Sequence, residues 1–338
     1  MRLASRALAT KAAAVKALAS EQKALSAAVG ALGASAPYDK VKALVESEPY
    51  ASTMAKVKEQ DLSWTWAMLD SAPQGSPVTV AVAGAGSAVG AAALYRIAAG
   101  EMLGPQTPVK LQLLGADAAV VADLEACGFP LLSGVSAATS PASAMAGAKF
   151  ALLLEGDFAA LGAAATAGSL VGVSGCTNAL VVSKAAGEGA SVTAITRGPQ
   201  LAAQVGLAAS TGASPLAVEN VIAWGDGVSD VSHATVNGKW ALKLTDEALP
   251  SFSSTTAIEA DAAVAHMKDW ALGSDSKWVS MGVPAVGDYG MGTGFFYSVP
   301  VVCTPGDFKR VGGVSLTPEV AAVLEKSRAE LAAQAAKL

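Results

Sequence analysis

Gly84-Ala85-Gly86-Ser87-Ala88-Val89-Gly90 is the stretch best equipped for ligand chemistry. A glycine-rich turn between a strand and a helix lets backbone N–H groups approach a phosphate at the helix N-terminus. The spacing fits neither usual fingerprint: G-x-G-x-x-G requires glycine at Val89, and G-x-x-G-x-x-G requires it at Ser87. Gly84, Gly86, Ser87 and Gly90 are therefore candidates for a vestigial NAD(P) phosphate site, and the expectation is that no cofactor is held. Asp117 stands where an acid could take ribose hydroxyls if the preceding strand ran two residues further; otherwise it is a solvated aspartate at a helix start. The two histidines, His233 and His266, are too few for an ordinary zinc site. Cys127, Cys176 and Cys303 form no C-x-x-C and read as buried or free thiols, so no metal centre or disulfide framework is expected.

The elements that must position these residues are strands and helices in alternation. Residues 78–83, 110–114, 150–154, 171–173 and 192–196 read as strands, the stretch at 150–154 being the third, with helices at 88–99 and 118–126. That rhythm predicts an α/β protein with a parallel, doubly wound, Rossmann-like sheet. Beyond about residue 203 the pattern is helical and more mixed, and Thr317-Pro318-Glu319 opens a helix to the C-terminus.

Composition removes several classes of function. The 338 residues are 52% hydrophobic and 15% charged, with net charge −5 and no basic stripe beyond the N-terminus, so nucleic acid is not an expected partner. The longest uncharged run, residues 158–182, reaches membrane-spanning length. Gly162, Gly168, Gly172 and Gly175 interrupt it, and it reads as buried α/β structure in a chain that is not transmembrane. Residues 1–36 are alanine-rich and basic (Arg2, Arg6, Lys11, Lys16, Lys23), with a helical apolar pattern. They read as a retained docking helix, although their composition alone favours a mitochondrial or other organelle leader. Anchoring on a cytoskeletal structure such as an axoneme is the alternative. Trp64 and Trp66 either cover the surface of the following domain or anchor a partner.

From about Val78 onward the sequence resembles the malate dehydrogenases, the cytosolic and plastid NADP-type group in particular. The resemblance rests on Ile97-Ala-Ala-Gly-Glu-Met-Leu-Gly-Pro-Gln-Thr-Pro108, Leu113-Leu114-Gly115 and Phe129-Pro-Leu-Leu132. Cys176-Thr-Asn-Ala-Leu180, Ser280-Met-Gly-Val283 and Tyr297-Ser-Val-Pro300 continue it in consistent order. It implies a Rossmann half at 76–196, the α+β half of the lactate/malate dehydrogenase fold at 197–338, and a helical N-terminal extension at 1–75. It also implies a possible homodimer through a helix-rich face of the dinucleotide half.

The family's chemistry does not carry over. Val221-Ile-Ala-Trp-Gly-Asp-Gly227 resembles the I-W-G-N-H stretch, with Gly227 in place of the proton-transferring histidine. The D-x-N-R motif, which supplies the partner aspartate and a substrate arginine, matches Arg197-Gly198-Pro199-Gln200. The loop carrying further arginines is replaced by Glu155-Gly156-Asp157 and alanines, and the G-N-P-x-N turn by Gly172-Val173-Ser174-Gly175-Cys176. Glycine cannot act as a general acid or base, and a dicarboxylate lacks its bidentate partners. His233 lies beyond the catalytic position and is no substitute. No catalytic residue is expected. The resemblance thus implies a pseudoenzyme, a structural or interaction subunit of a larger protein assembly. The alternatives are an NAD(P)-dependent oxidoreductase of changed substrate and a non-catalytic NAD(P) sensor.

Overall fold

Val78-Thr-Val-Ala-Val-Ala83, six residues without charge, forms strand β1, third from one edge of a nine-stranded sheet. The computed structural model describes residues 75–241 and 254–338, together with positions 24, 43, 44, 47, 51 and 52. The N-terminal helix and the Trp64/Trp66 patch read from the sequence lie outside the described residues.

After β1 come α1 (Ala88–Ala98), β2 (Val109–Leu114), α2 (Ala118–Ala126), β3 (Leu132–Ala138) and α3 (Pro141–Met145). Then follow β4 (Phe150–Leu153), α4 (Phe158–Ala163), β5 (Leu170–Ser174), α5 (Cys176–Ala186) and β6 (Ser191–Ile195). The six strands pair in parallel in the order β3-β2-β1-β4-β5-β6, the doubly wound arrangement whose order reverses beside β1. Helices cover both faces of such a sheet, so its inner strands read as continuous apolar runs: β4 is buried at all four positions.

The sequence reading missed β3, and the strand at 150–154 is the fourth along the chain rather than the third. The residues of β3, Leu-Ser-Gly-Val-Ser-Ala-Ala, are small and partly exposed, and it pairs with β2 alone. An edge strand of this kind has neither an apolar run nor a clean alternation to announce it. The uncharged run at 158–182 becomes α4, β5 and the start of α5, and no described helix is long and apolar enough to cross a membrane.

The second half begins with α6 (Gly198–Thr211) and a set of short strands: β7 (Val218–Glu219), β8 (Ile222–Trp224), β9 (Val228–Asp230), β10 (Thr235–Val236) and β11 (Lys239–Trp240). Helix α7 (Thr256–Leu272) precedes β12 (Val279–Val286), β13 (Thr293–Thr304) and β14 (Asp307–Arg310), which extend the large sheet antiparallel beyond β6. One sheet therefore runs through both proposed halves. Helix α8 (Pro318–Ala335) starts at Thr317, whose hydroxyl accepts the Val320 N–H at 3.3 Å, with Pro318 in the first turn, where its missing N–H costs nothing. Fully buried Val80, Val82, Leu94, Ile97, Leu111, Leu113 and Leu152 form the core on which the β1–α1 turn rests.

Candidate functional site

The carboxyl ends of β1, β2 and β4 meet at the switch point, where open α/β sheets take ligands. The turn after β1 holds Gly84, Gly86, Ser87 and Gly90 together. Gly84 has φ +78, and a Cβ there would lie 2.8 Å from the Glu155 backbone nitrogen. A Cβ at Gly86 would run into the Gly115 carbonyl oxygen, and one at Gly90 into the Gly84 carbonyl oxygen. All three glycines are thus required by the protein's own backbone. Ser87 caps α1: its Oγ accepts the Gly90 N–H at 3.0 Å and donates to the Gly84 carbonyl at 2.8 Å. That hydroxyl already engages a helix N–H for which a bound anion would compete.

The charges around this turn are acidic. Glu155 follows β4 and is exposed, and Asp157 caps α4 by accepting the Ala160 N–H at 3.0 Å. Strand β2 ends at Leu114, and Asp117 caps α2 through the Val120 N–H at 3.0 Å, so it is not an extension of the strand. The segments leaving β1, β2 and β4 at this end (84–87, 115–117 and 154–157) contain no lysine or arginine. A pyrophosphate here would meet Glu155 without a cation to offset it. Any phosphate at this turn would rest on backbone N–H groups alone.

The second region lies at the β8–β9 turn and the start of α6. Trp224 is fully buried, stacks edge-on against Tyr289 with centroids 4.8 Å apart, and donates Nε1–H to Asp230 at 2.9 Å. The turn then runs through Gly225, Asp226 and Gly227. Gly227 has φ +101, and a Cβ on it would sit 3.0 Å from Pro199 Cγ. The fold therefore brings the 197–200 segment against the 227 position, but the contact is proline on glycine, and neither carries a proton to move.

The neighbouring side chains are turned inward. Arg197 is 3% exposed and its Nη1 donates to Asp269 of α7 at 2.6 Å. Gln200, also 3% exposed, accepts the Ser280 N–H of β12 at 2.9 Å through Oε1. Both clasp α6 to neighbouring elements; Arg197 is held through Nη1 alone, and its Nε and Nη2 are buried without a hydrogen-bond partner. Cys176 opens α5, where a helix N-terminus favours thiolate. Burial and then the Asp226 carboxylate outweigh that and push its thiol well above the ordinary range. Its Sγ–H donates to the Gly225 carbonyl oxygen at 3.6 Å.

His266 is fully buried on α7, 2.8 Å from Thr193 Oγ1. Burial, and secondarily the Arg197 charge, lowers its pKa well below 6.5 and keeps the ring neutral. His233 Nε2 lies 2.7 Å from the Ser315 carbonyl oxygen, tied to the chain before α8. Sequence reasoning gave His266 no role beyond excluding zinc and did not single out Asp269, both on α7. The only signal was the polar residues scattered along an otherwise apolar helix. No cluster of metal-ligating side chains occurs among the described residues.

Residues 247–338 match the α/β C-terminal domain model of lactate/malate dehydrogenase. The chain is similar to the malate dehydrogenase of Naegleria fowleri ATCC 30863, with 30% identity over 77% of this chain and 97% of that one, at a TM-score of 0.70. It also shares its fold with Trichomonas vaginalis lactate dehydrogenase, solved with NADH and oxamate (24% identity, 76% and 97% covered, TM-score 0.69). A third similar structure is Plasmodium falciparum malate dehydrogenase (13% identity, 77% and 98% covered, TM-score 0.64).

Proposed function

The chain belongs to the lactate/malate dehydrogenase family, and within it we propose a non-catalytic member that serves as a structural or interaction subunit of a larger protein assembly. The observation that carries this reading is the placement of Gly227 beside Pro199, whose Cγ lies 3.0 Å from where a Cβ at 227 would be. Hydride transfer to or from a hydroxy acid must be coupled to proton transfer, and neither residue can give or take a proton. The inward turn of Arg197 and Gln200 supports the same reading, because the guanidinium is buried against Asp269 rather than presented to a carboxylate substrate. The acidic surroundings of the β1–α1 turn support the absence of a bound dinucleotide.

Residues 1–75 are the proposed docking element, in an organelle or on a cytoskeletal structure. The test is titration calorimetry of the purified protein with NADH and NADPH, followed by assay with malate and with oxaloacetate. No heat and no turnover are expected. Saturable micromolar binding without turnover would make the protein a nucleotide sensor. Turnover at an ordinary enzymatic rate would make it an oxidoreductase and overturn the proposal.

A further inference from the structure

Strand β14 is the outermost strand of the nine-stranded sheet, and among the described residues no strand pairs with its outer edge. Its hairpin with β13 turns through Pro305 and Gly306, with Thr304 opposite Asp307. Just past the strand, the Val311 N–H donates inward to the Pro300 carbonyl at 2.9 Å. Alternate residues of an antiparallel strand direct their backbone polar groups to the same side. Asp307, Lys309 and Val311 therefore face β13, while Phe308 and Arg310 present N–H and C=O outward. The Phe308 N–H is covered only by its neighbour's carboxylate, Asp307 Oδ1, at 2.8 Å. An open edge of this kind is a template for another strand.

The edge is complementary to itself. A twofold axis through Phe308 places Phe308 opposite the same residue of a second copy, with both outward N–H and C=O groups aligned to exchange hydrogen bonds. The same axis sets each Asp307 opposite the second copy's Lys309. Both side chains are exposed, and Lys309 has no ion pair among the described residues. Opposite charges directly across an antiparallel pair are stabilising, and like charges are not. On the other face, half-buried Phe308 and Arg310 line an open groove of about 660 Å³ with Asp288, Tyr289 and Val311. Arg310 stiffens it through Asp288 at 3.2 Å and the Pro284 carbonyl at 2.7 Å. The second copy's Phe308 would lie over this groove.

We propose that β14 is a homotypic interface, through which two copies of this chain join edge to edge, antiparallel about Phe308. On association Asp307 exchanges the Phe308 N–H for the second copy's Lys309, and the freed N–H pairs with the second copy's Phe308 carbonyl. This interface is distinct from a helix-face dimer of the dinucleotide half. It stands whether or not the protein turns over a substrate.

Sedimentation velocity of the full chain over a concentration series tests it. The wild type should dimerise. Asp307→Lys or Lys309→Asp alone should weaken the dimer about tenfold, because two attractive cross-strand pairs become two repulsive ones. The double exchange should restore it. Hydrogen exchange gives a second readout free of substitutions: the Phe308 and Arg310 amides should gain protection as concentration rises. A wild type monomeric throughout would overturn the proposal, which would leave the edge to a different protein's strand. A dimer indifferent to either charge reversal, or a double exchange that fails to restore it, would overturn it equally.

Discussion

Glycine plays different parts in the two regions where a dehydrogenase would meet its ligands. At the β1–α1 turn, a Cβ on Gly84, Gly86 or Gly90 would collide with the protein's own chain, at Glu155, Gly115 and Gly84 respectively. These glycines hold the strand, turn and helix together whether or not a phosphate arrives. At the β8–β9 turn, Gly227 stands beside Pro199 where the resemblance implies a proton-transfer pair, and Arg197 and Gln200 nearby are bonded to the fold. Residues that let backbones approach each other are bound to the architecture, whereas residues that only touch a ligand can be replaced with the architecture intact.

The largest expected effect tests whether Arg197 has become part of the structure. Asp269→Ala leaves its guanidinium buried and unpaired, and should cost about 3–5 kcal/mol in denaturant unfolding. Replacing both partners with apolar residues should recover most of that. If Asp269→Ala were neutral, Arg197 would be available for a ligand and the contrast between the regions would fail. Next, Gly90→Val should cost about 3 kcal/mol, since the obstructing atoms are backbone. Gly128→Ala, at φ +62 with nothing within 4 Å, should cost only about 1–2 kcal/mol. Equal costs at both sites would mean that the chain around Gly90 yields to a side chain and that the close approach is not essential.

A smaller effect is pH-dependent. The folded state depresses the pKa of His266, so below about 6.5 the unfolded chain binds a proton that the native chain does not. The stability it contributes is present above that pH. It should fall by about 1.4 kcal/mol per pH unit as pH drops below it, and His266→Gln should flatten this part of the profile. The last variant is read by activity: Gly227→His, at φ +101 and close to Pro199, should cost at least the roughly 1–2 kcal/mol of Gly128→Ala. It should restore no malate oxidation, because the position that would orient an imidazole holds a buried arginine. A measurable rate in that variant would place the site one residue from activity.

Much of the architecture was legible in the sequence, because β1, the glycine turn and α1 carry their own local signals, as does the Thr317-Pro318 start of α8. Strand β3 was not, since its small residues at a sheet edge lack periodicity. The candidate site was legible only as residue types. The sequence puts an arginine at 197 and a glutamine at 200, but it does not say that both turn inward. Their partners, Asp269 and Ser280, lie 72 and 80 residues away, beyond the reach of any local pattern. The same holds for His266, whose partner Thr193 is on another element 73 residues earlier.

The most direct test of the account is a steady-state assay of the purified full chain with oxaloacetate and NADH, repeated with NADPH, following nicotinamide absorbance at high enzyme concentration. The account predicts no turnover above the uncatalysed background with either cofactor. Oxaloacetate reduction at an ordinary enzymatic rate would contradict it, and would mean that a proton donor other than the residue at 227 completes the site.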